Sequence, residues 1–167
     1  MAKKKKRKET KKPSSNYSVE LTGVILIAIS IIGICQFGIV GNFLSGFASF
    51  LVGTAYNVLL ACVFIVGVYM IVKREKPEFF TSKLVGLYII SLSLLILFHA
   101  NYIKNLDLEG FEVVKETIDN LMGAINGVGK IQGGGIFGAI LSVLFVKLFT
   151  INGTRVVCIV LIICGIV

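Results

Sequence analysis

The amino-acid sequence predicts an all-α integral membrane protein, with four transmembrane helices, a glycine-rich re-entrant or interfacial helix and a disordered basic N-terminal tail. Three observations carry this reading. Leu21 through Val72 contain no Lys, Arg, Asp, Glu or His. A bilayer crossing takes ~20 apolar residues, so this stretch suits two crossings and a short connector. The 167 residues are 56% apolar with a mean hydropathy of +0.91, a balance that soluble domains of this size do not have. Basic residues flank the uncharged stretch on both sides, Lys3, Lys4, Lys5, Lys6, Arg7 and Lys8 before it and Lys73, Arg74 and Lys76 after it.

The chain divides into a tail, residues 1–18, and a polytopic membrane domain, residues 19–167. The tail is basic and holds Pro13, Ser14, Ser15 and Asn16. With almost no apolar surface to bury, it is expected to be disordered. The first apolar segment runs into a second without a cleavage site, so it reads as an anchor and not as a signal peptide. It spans about 19–37 and ends at Gly38, Gly41 and Asn42, read as a short outer connector. The second span runs over about 47–72. Pro77 falls in the loop that follows, where helix is not required. The third span covers about 84–103, with His99 and Tyr102 towards its outer end.

Residues 104–132 read as a polar loop. Within it Val113, Val114, Ile118, Leu121 and Met122 recur near helical spacing, which predicts a short amphipathic helix. The remaining segments pose a parity problem. Residues 133–150 are apolar apart from Lys147, and a second apolar run starts near 154. If both crossed, the chain would finish outside. Gly133, Gly134 and Gly135 favour a re-entrant 133–150, because glycine tolerates broken helix where protein shields the backbone. The last span, from about 154, is cut short at 167, so the sequence is expected to be part of a longer protein.

Charge sets the orientation. Residues 1–20 hold eight Lys/Arg against Glu9 and Glu20, a net +6. Residues 73–83 hold Lys73, Arg74, Lys76 and Lys83 against Glu75 and Glu78, a net +2. Residues 104–130 hold Lys104, Lys115 and Lys130 against Asp107, Glu109, Glu112, Glu116 and Asp119, a net −2. Lys and Arg collect on the cytoplasmic side of short loops, so the N-terminus and the 73–83 loop are expected inside and the 104–132 loop outside.

No catalytic, cofactor or metal site is expected. Cys35, Cys62, Cys158 and Cys164 lie in apolar segments without a CxxC pair and read as buried small hydrophobes. His99 is the sole histidine and has no metal-ligating neighbours in sequence. It reads as an interfacial side chain satisfied by water or Asn101. The stretch from Gly123 to Ile131 mimics a phosphate-binding loop, but Ala124 stands where the first glycine belongs and Ile131 where Ser or Thr would hold magnesium. No ionisable pair lies mid-membrane, which counts against a driven transporter. Asn57, Ser91 and Ser93 leave a passive pore open. Gly134, Gly138 and Ser142 form a small-residue ridge suited to close helix contact, within the chain or between subunits. The basic tail, Lys3 to Lys8, suits anionic lipid head groups as well as a topology signal.

Four stretches, in this order, carry a family resemblance. They are Met1-Ala2-Lys3-Lys4-Lys5-Lys6-Arg7-Lys8, then Gly23 to Ile32 with Gln36-Phe37-Gly38-Ile39-Val40-Gly41, then Gly133 to Ser142 with its GG-x-x-G-A-x-x-S pattern, then Asn152-Gly153-Thr154. Their layout resembles the N-terminal four-transmembrane region of the FtsK/SpoIIIE DNA translocases of bacteria. The resemblance covers nearly the whole chain. It implies a membrane anchor and septum-targeting, oligomerising module of a protein that moves chromosomal DNA in cell division or sporulation. It implies a RecA-like ATPase motor further along, outside these residues, so that DNA is a partner only through that motor. Membrane lipid, further copies of the chain and division-septum proteins are the implied partners, and the bacterial cell membrane, enriched at the septum, the implied location. The rival reading is a small self-standing oligomeric membrane protein, pore-forming or holin-like.

Overall fold

In a computed structural model, residues 17–104, 110–125 and 132–166 are described and form six α-helices and no strand. Most of the basic tail, the loop residues 105–109 and the phosphate-loop mimic beyond Ile125 lie outside the described residues. Helices α1 (Tyr17–Ile34) and α3 (Tyr56–Lys73) have 18 residues each, and α4 (Ser82–Ile103) has 22. At 1.5 Å per residue these are about 27 and 33 Å long, close to the ~30 Å hydrocarbon core of a bilayer. Helices α2 (Gly38–Val52) and α5 (Phe111–Ile125) have 15 residues each, too few to cross. Helix α6 (Gly135–Ile166) has 32 residues and is broken at Thr150, where φ is 61° and ψ 172°.

Four helical stretches are long and apolar enough to cross a membrane: Tyr17–Ile34, Gly38–Lys73, Ser82–Ile103 and Gly135–Ile166. The two longest are each interrupted, at Gly53–Ala55 and at Thr150. Each interruption separates a short helix from a crossing one. The chain thereby makes two hairpins of the same design: α1 against α3, and α4 against residues 151–166.

Glycines fix both crossings. A Cβ on Gly67 would lie 2.8 Å from the carbonyl oxygen of Gly23, and a Cβ on Gly23 equally close to that of Gly67. In the second hairpin a Cβ on Gly165 would lie 2.8 Å from the carbonyl oxygen of Gly86, and one on Gly86 would strike that of Gly165. Lipid tails are as apolar as leucine, so helix association in a bilayer relies on such backbone proximity and the dispersion contacts it permits. The wide apolar exposure of Val24, Ile65, Val72, Leu92 and Ile163 fits lipid-facing surfaces.

The two ends of the molecule differ. At one, here called proximal, Arg74 closes α3 in a left-handed conformation and its Nε lies 2.8 Å from Glu20 Oε1 of α1. Arg74 is exposed and Glu20 half-buried, so the contribution of the pair to stability is small. At the distal end the hairpins are joined by α2, α5 and residues 135–149. Both ends of α2 are distal. Gly41 packs on the backbone of Ile32 and Gln36, and Gln36 Nε2 donates to Tyr56 Oη across 3.3 Å. Residues 135–149 also begin and end there. Gly134 and Gly138 touch Leu95 and His99, Lys147 and Thr150 share a cleft with Ile103 and Lys104, and Arg155 Nη2 donates to Asn101 Oδ1 across 2.6 Å. The glycine-rich segment thus starts and finishes on the distal side, the arrangement expected of a re-entrant or interfacial helix, and the break at Thr150 sets it apart from residues 151–166.

Several boundaries depart from the sequence reading. Gly38, Gly41 and Asn42 belong to helix α2, and the connector is Cys35, Gln36 and Phe37. Gly41 is needed for proximity, because a Cβ there would meet backbone atoms of Ile32 and Gln36. The stretch 47–72 is not one helix, because Gly53 turns the chain between α2 and α3 with φ 62° and ψ −129°, a conformation open to glycine. Of the cysteines only Cys158 is buried, while Cys35, Cys62 and Cys164 lie on the surface as free thiols. In apolar helices with no partner beyond their own hairpin, surface means lipid, so hydrophobicity does not imply burial.

Candidate functional site

The densest constellation of polar and backbone groups is the distal junction, where α4, α5, α6 and the turn after α2 converge. It is assembled from residues that cannot be replaced by bulkier ones. Gly53 stands against Gly133 and Gly135, and a Cβ on it would fall on the carbonyl oxygen of the first and the amide nitrogen of the second. The next residue, Thr54, donates to Gly133 O twice, through its amide at 3.1 Å and its hydroxyl at 3.2 Å. The carbonyl of Gly133 thus ties the first hairpin to the second.

His99 anchors the other side of Gly133. It is wholly buried, one turn before the end of α4. The amide N–H of Gly134 donates to its Nδ1 across 3.3 Å. An accepting Nδ1 places the ring proton on Nε2, which lies 3.3 Å from Thr117 Oγ1 of α5 and donates to it. The Thr117 hydroxyl donates in turn to Val113 O across 2.6 Å. The Tyr102 ring tilts against the imidazole with centroids 5.5 Å apart. A neutral imidazole therefore links three helices through both ring nitrogens. The expectation of an interfacial His99 satisfied by water or Asn101 does not hold, since Asn101 is taken by Arg155. Sequence could not reveal this, because the partners are 18 and 35 residues away.

Helix α5 lies on this junction. Val113, Val114, Thr117 and Leu121 are buried, and Phe111, Glu112, Lys115, Asp119 and Met122 are exposed. Of the five positions in the amphipathic pattern read from the sequence, Val113, Val114 and Leu121 are buried, Ile118 is half-buried and Met122 faces outward. The pattern missed Thr117, whose hydroxyl serves His99 and the helix backbone.

The ridge Gly134, Gly138, Ser142 is buried throughout. A Cβ on Gly138 would lie 2.9 Å from the carbonyl oxygen of Leu95, and one on Gly134 would strike the same oxygen. Ser142 Oγ donates to Ala139 O across 3.0 Å. In a single chain the ridge is occupied by α4. Ser91 and Ser93 donate to the carbonyls of Leu87 and Ile89, four residues back in their own helix. Among the described residues no buried side-chain polar atom lacks a partner, and no three His, Cys, Asp or Glu residues gather as metal ligands. Lys3, Lys4, Lys5, Lys6, Arg7 and Lys8 lie outside the described residues.

No protein-family model matches the chain, and no solved structure matches it. Curated relatives do. The DNA translocase FtsK of Listeria monocytogenes is 38% identical over 167 residues, covering 98% of this chain and 22% of that protein. The DNA translocase SpoIIIE of Bacillus subtilis is 35% identical over 172 residues, again 98% of this chain and 22% of the relative. The DNA translocase FtsK of Halalkalibacterium halodurans is 33% identical over 175 residues, covering all of this chain and 22% of the relative. The chain thus spans about a fifth of the length of these relatives. The motor that the resemblance implies lies outside these residues. With its four apolar stretches and an alignment running along its full length, the chain belongs to the FtsK/SpoIIIE family of DNA translocases as a counterpart of the family's N-terminal membrane region.

Proposed function

We propose that the chain is the membrane anchor of a DNA translocase, inserted with its proximal end and N-terminus in the cytoplasm, and that it gathers copies of itself at the division or sporulation septum. The observation that carries the anchoring role is the end-to-end alignment with translocases, coinciding with four apolar helical stretches. The orientation is supported by charge. Residues 1–20, net +6, lead into α1 at the proximal end beside residues 73–83, net +2, whereas residues 104–130, net −2, include α5 at the distal end. Lys3 to Lys8 then meet the cytoplasmic leaflet, where each basic residue near anionic lipid contributes about 1 kcal/mol.

The oligomer contact proposed for Gly134, Gly138 and Ser142 acts indirectly. These residues hold α6 on α4, and the outer faces of the hairpins touch neighbouring copies. DNA is handled only by the motor region, and division-septum proteins are the further partners. A self-standing pore gains no support from Ser91 and Ser93, whose hydroxyls are satisfied by their own helix.

The test is imaging of the chain fused at its N-terminus to a fluorescent protein in dividing bacteria, with photobleaching steps counted at each focus. The expected result is membrane fluorescence concentrated at septa, in foci of more than one copy. Cytosolic fluorescence would contradict anchoring, and an even membrane distribution of single copies would contradict targeting and self-association.

A further inference from the structure

A cleft of about 940 Å³ opens at the distal end between the last turn of α4, the first turn of α5 and the broken part of α6. Its walls include Ile103, Val113, Val143 and Val146. Lys104 and Lys147, on two different helices, both line it and are both exposed. Among the described residues neither lysine is ion-paired. The cleft is large, in the upper part of the ~300–1,000 Å³ range of small-molecule sites. The junction described above does not use it.

Its two parts ask for different chemistry. Five aliphatic side chains, those four and Ile151, give the cleft an apolar wall that suits an acyl chain, and Thr150 and Asn152 add polar groups beside the lysines. Two ammonium groups lining the cleft call for an anion. In the proposed topology, on which this inference rests, the cleft lies where the crossing helices end, at the level of lipid head groups. Basic pockets between membrane helices suit anionic lipids for these reasons.

We propose that this cleft holds a membrane lipid with an anionic phosphate head group, its phosphate between Lys104 and Lys147 and one acyl chain along Ile103, Val113, Val143 and Val146. The site is distinct from the basic tail, which sits at the other end of the molecule in the proposed topology. It also gives Lys147 a role that a purely apolar re-entrant helix would lack.

The experiment places the intact chain in nanodiscs of equal parts phosphatidylglycerol and phosphatidylcholine and weighs the retained lipid by native mass spectrometry. Phosphatidylglycerol should be retained over phosphatidylcholine, with about 25-fold of the preference owed to Lys104 and Lys147, since each lysine near an anionic lipid is worth about fivefold. The Lys104→Gln, Lys147→Gln pair should remove that share, about 25-fold, and leave the smaller preference of the other basic residues, and the share should persist in Lys73→Gln, Lys76→Gln at the proximal end. Val143→Trp, with helicity checked by circular dichroism, should reduce phosphatidylglycerol retention although both lysines remain. Equal retention of the two lipids by the parent chain, or an unchanged ratio in the Lys104, Lys147 pair, would overturn the proposal. So would displacement of the lipid by glycerol 1-phosphate at matching concentration, because the site would then read a free phosphate and not a lipid.

Discussion

Gly53→Ala is expected to destabilise the folded protein by about 3 kcal/mol or more, read as a lower thermal midpoint in a neutral detergent. Two effects add. Gly53 has φ 62° and ψ −129°, a conformation that carries a penalty of about 1–2 kcal/mol or more for any residue with a Cβ. The new methyl would also fall on the backbone of Gly133 and Gly135. Backbone atoms cannot swing aside as a flexible side chain does, so the turn after α2 would have to leave the second hairpin. The two hydrogen bonds from Thr54 to Gly133 O would go with it. Gly38→Ala separates the two effects. Gly38 has φ 60° but no atom within 4 Å of a Cβ placed on it. It should therefore show only the strain, about 1–2 kcal/mol. Equal losses for the two variants would mean that the Gly53–Gly133 approach does not hold the hairpins together.

His99→Leu is the second substitution with a large expected effect, about 2–4 kcal/mol. Leucine is of similar bulk, so little cavity remains. The loss lies in the polar groups left behind. The amide of Gly134 would have no acceptor and Thr117 Oγ1 no donor, and a buried unpaired group costs about 1–3 kcal/mol. The damage should be local at first, with faster amide hydrogen exchange in α5 and in the first turn of α6 while α1 and α3 remain protected. Thr117→Val removes one bond of the same network and should lose about 1 kcal/mol. If His99→Leu were no worse than Thr117→Val, the bond from Gly134 to His99 would not be a structural tie.

Much of the architecture was legible because a bilayer imposes simple rules. Uncharged stretches of sufficient length bounded by Lys and Arg gave the crossing helices, and α4 begins within two residues of its expected start. The parity of the crossings, with Gly133 to Gly135, marked out the segment that the break at Thr150 sets apart from residues 151–166. What stayed hidden was set by long-range contact. An isolated glycine in an apolar helix ordinarily continues the helix, so nothing near Gly53 marks it as a break. Thr150 is a β-branched residue at positive φ, the opposite of a turn signal. The pairs Gly23 with Gly67 and Gly86 with Gly165 are recognisable only once the hairpins are known. The ridge of Gly134, Gly138 and Ser142 was visible, but not its partner, Leu95 of the same chain. His99 looked peripheral because its ligating groups come from α5 and from a backbone amide, which no motif records.

The proposed topology has the breaks and short helices of both hairpins on one side of the membrane and the N-terminus on the other. Cysteine accessibility in intact cells measures this directly. Cys35, Cys62, Cys158 and Cys164 are first replaced by serine or alanine, and single cysteines are then placed at Ser14, Thr81, Lys115 and Lys147. Lys115 and Lys147 are both exposed, so accessibility there reports the side of the membrane. A membrane-impermeant maleimide should label Lys115→Cys and Lys147→Cys in intact cells, and Ser14→Cys and Thr81→Cys only after permeabilisation. Protection of Lys147→Cys together with Thr81→Cys would mean that residues 135–149 cross the bilayer, giving five crossings. Labelling of Ser14→Cys without permeabilisation would reverse the orientation and contradict a cytoplasmic anchor.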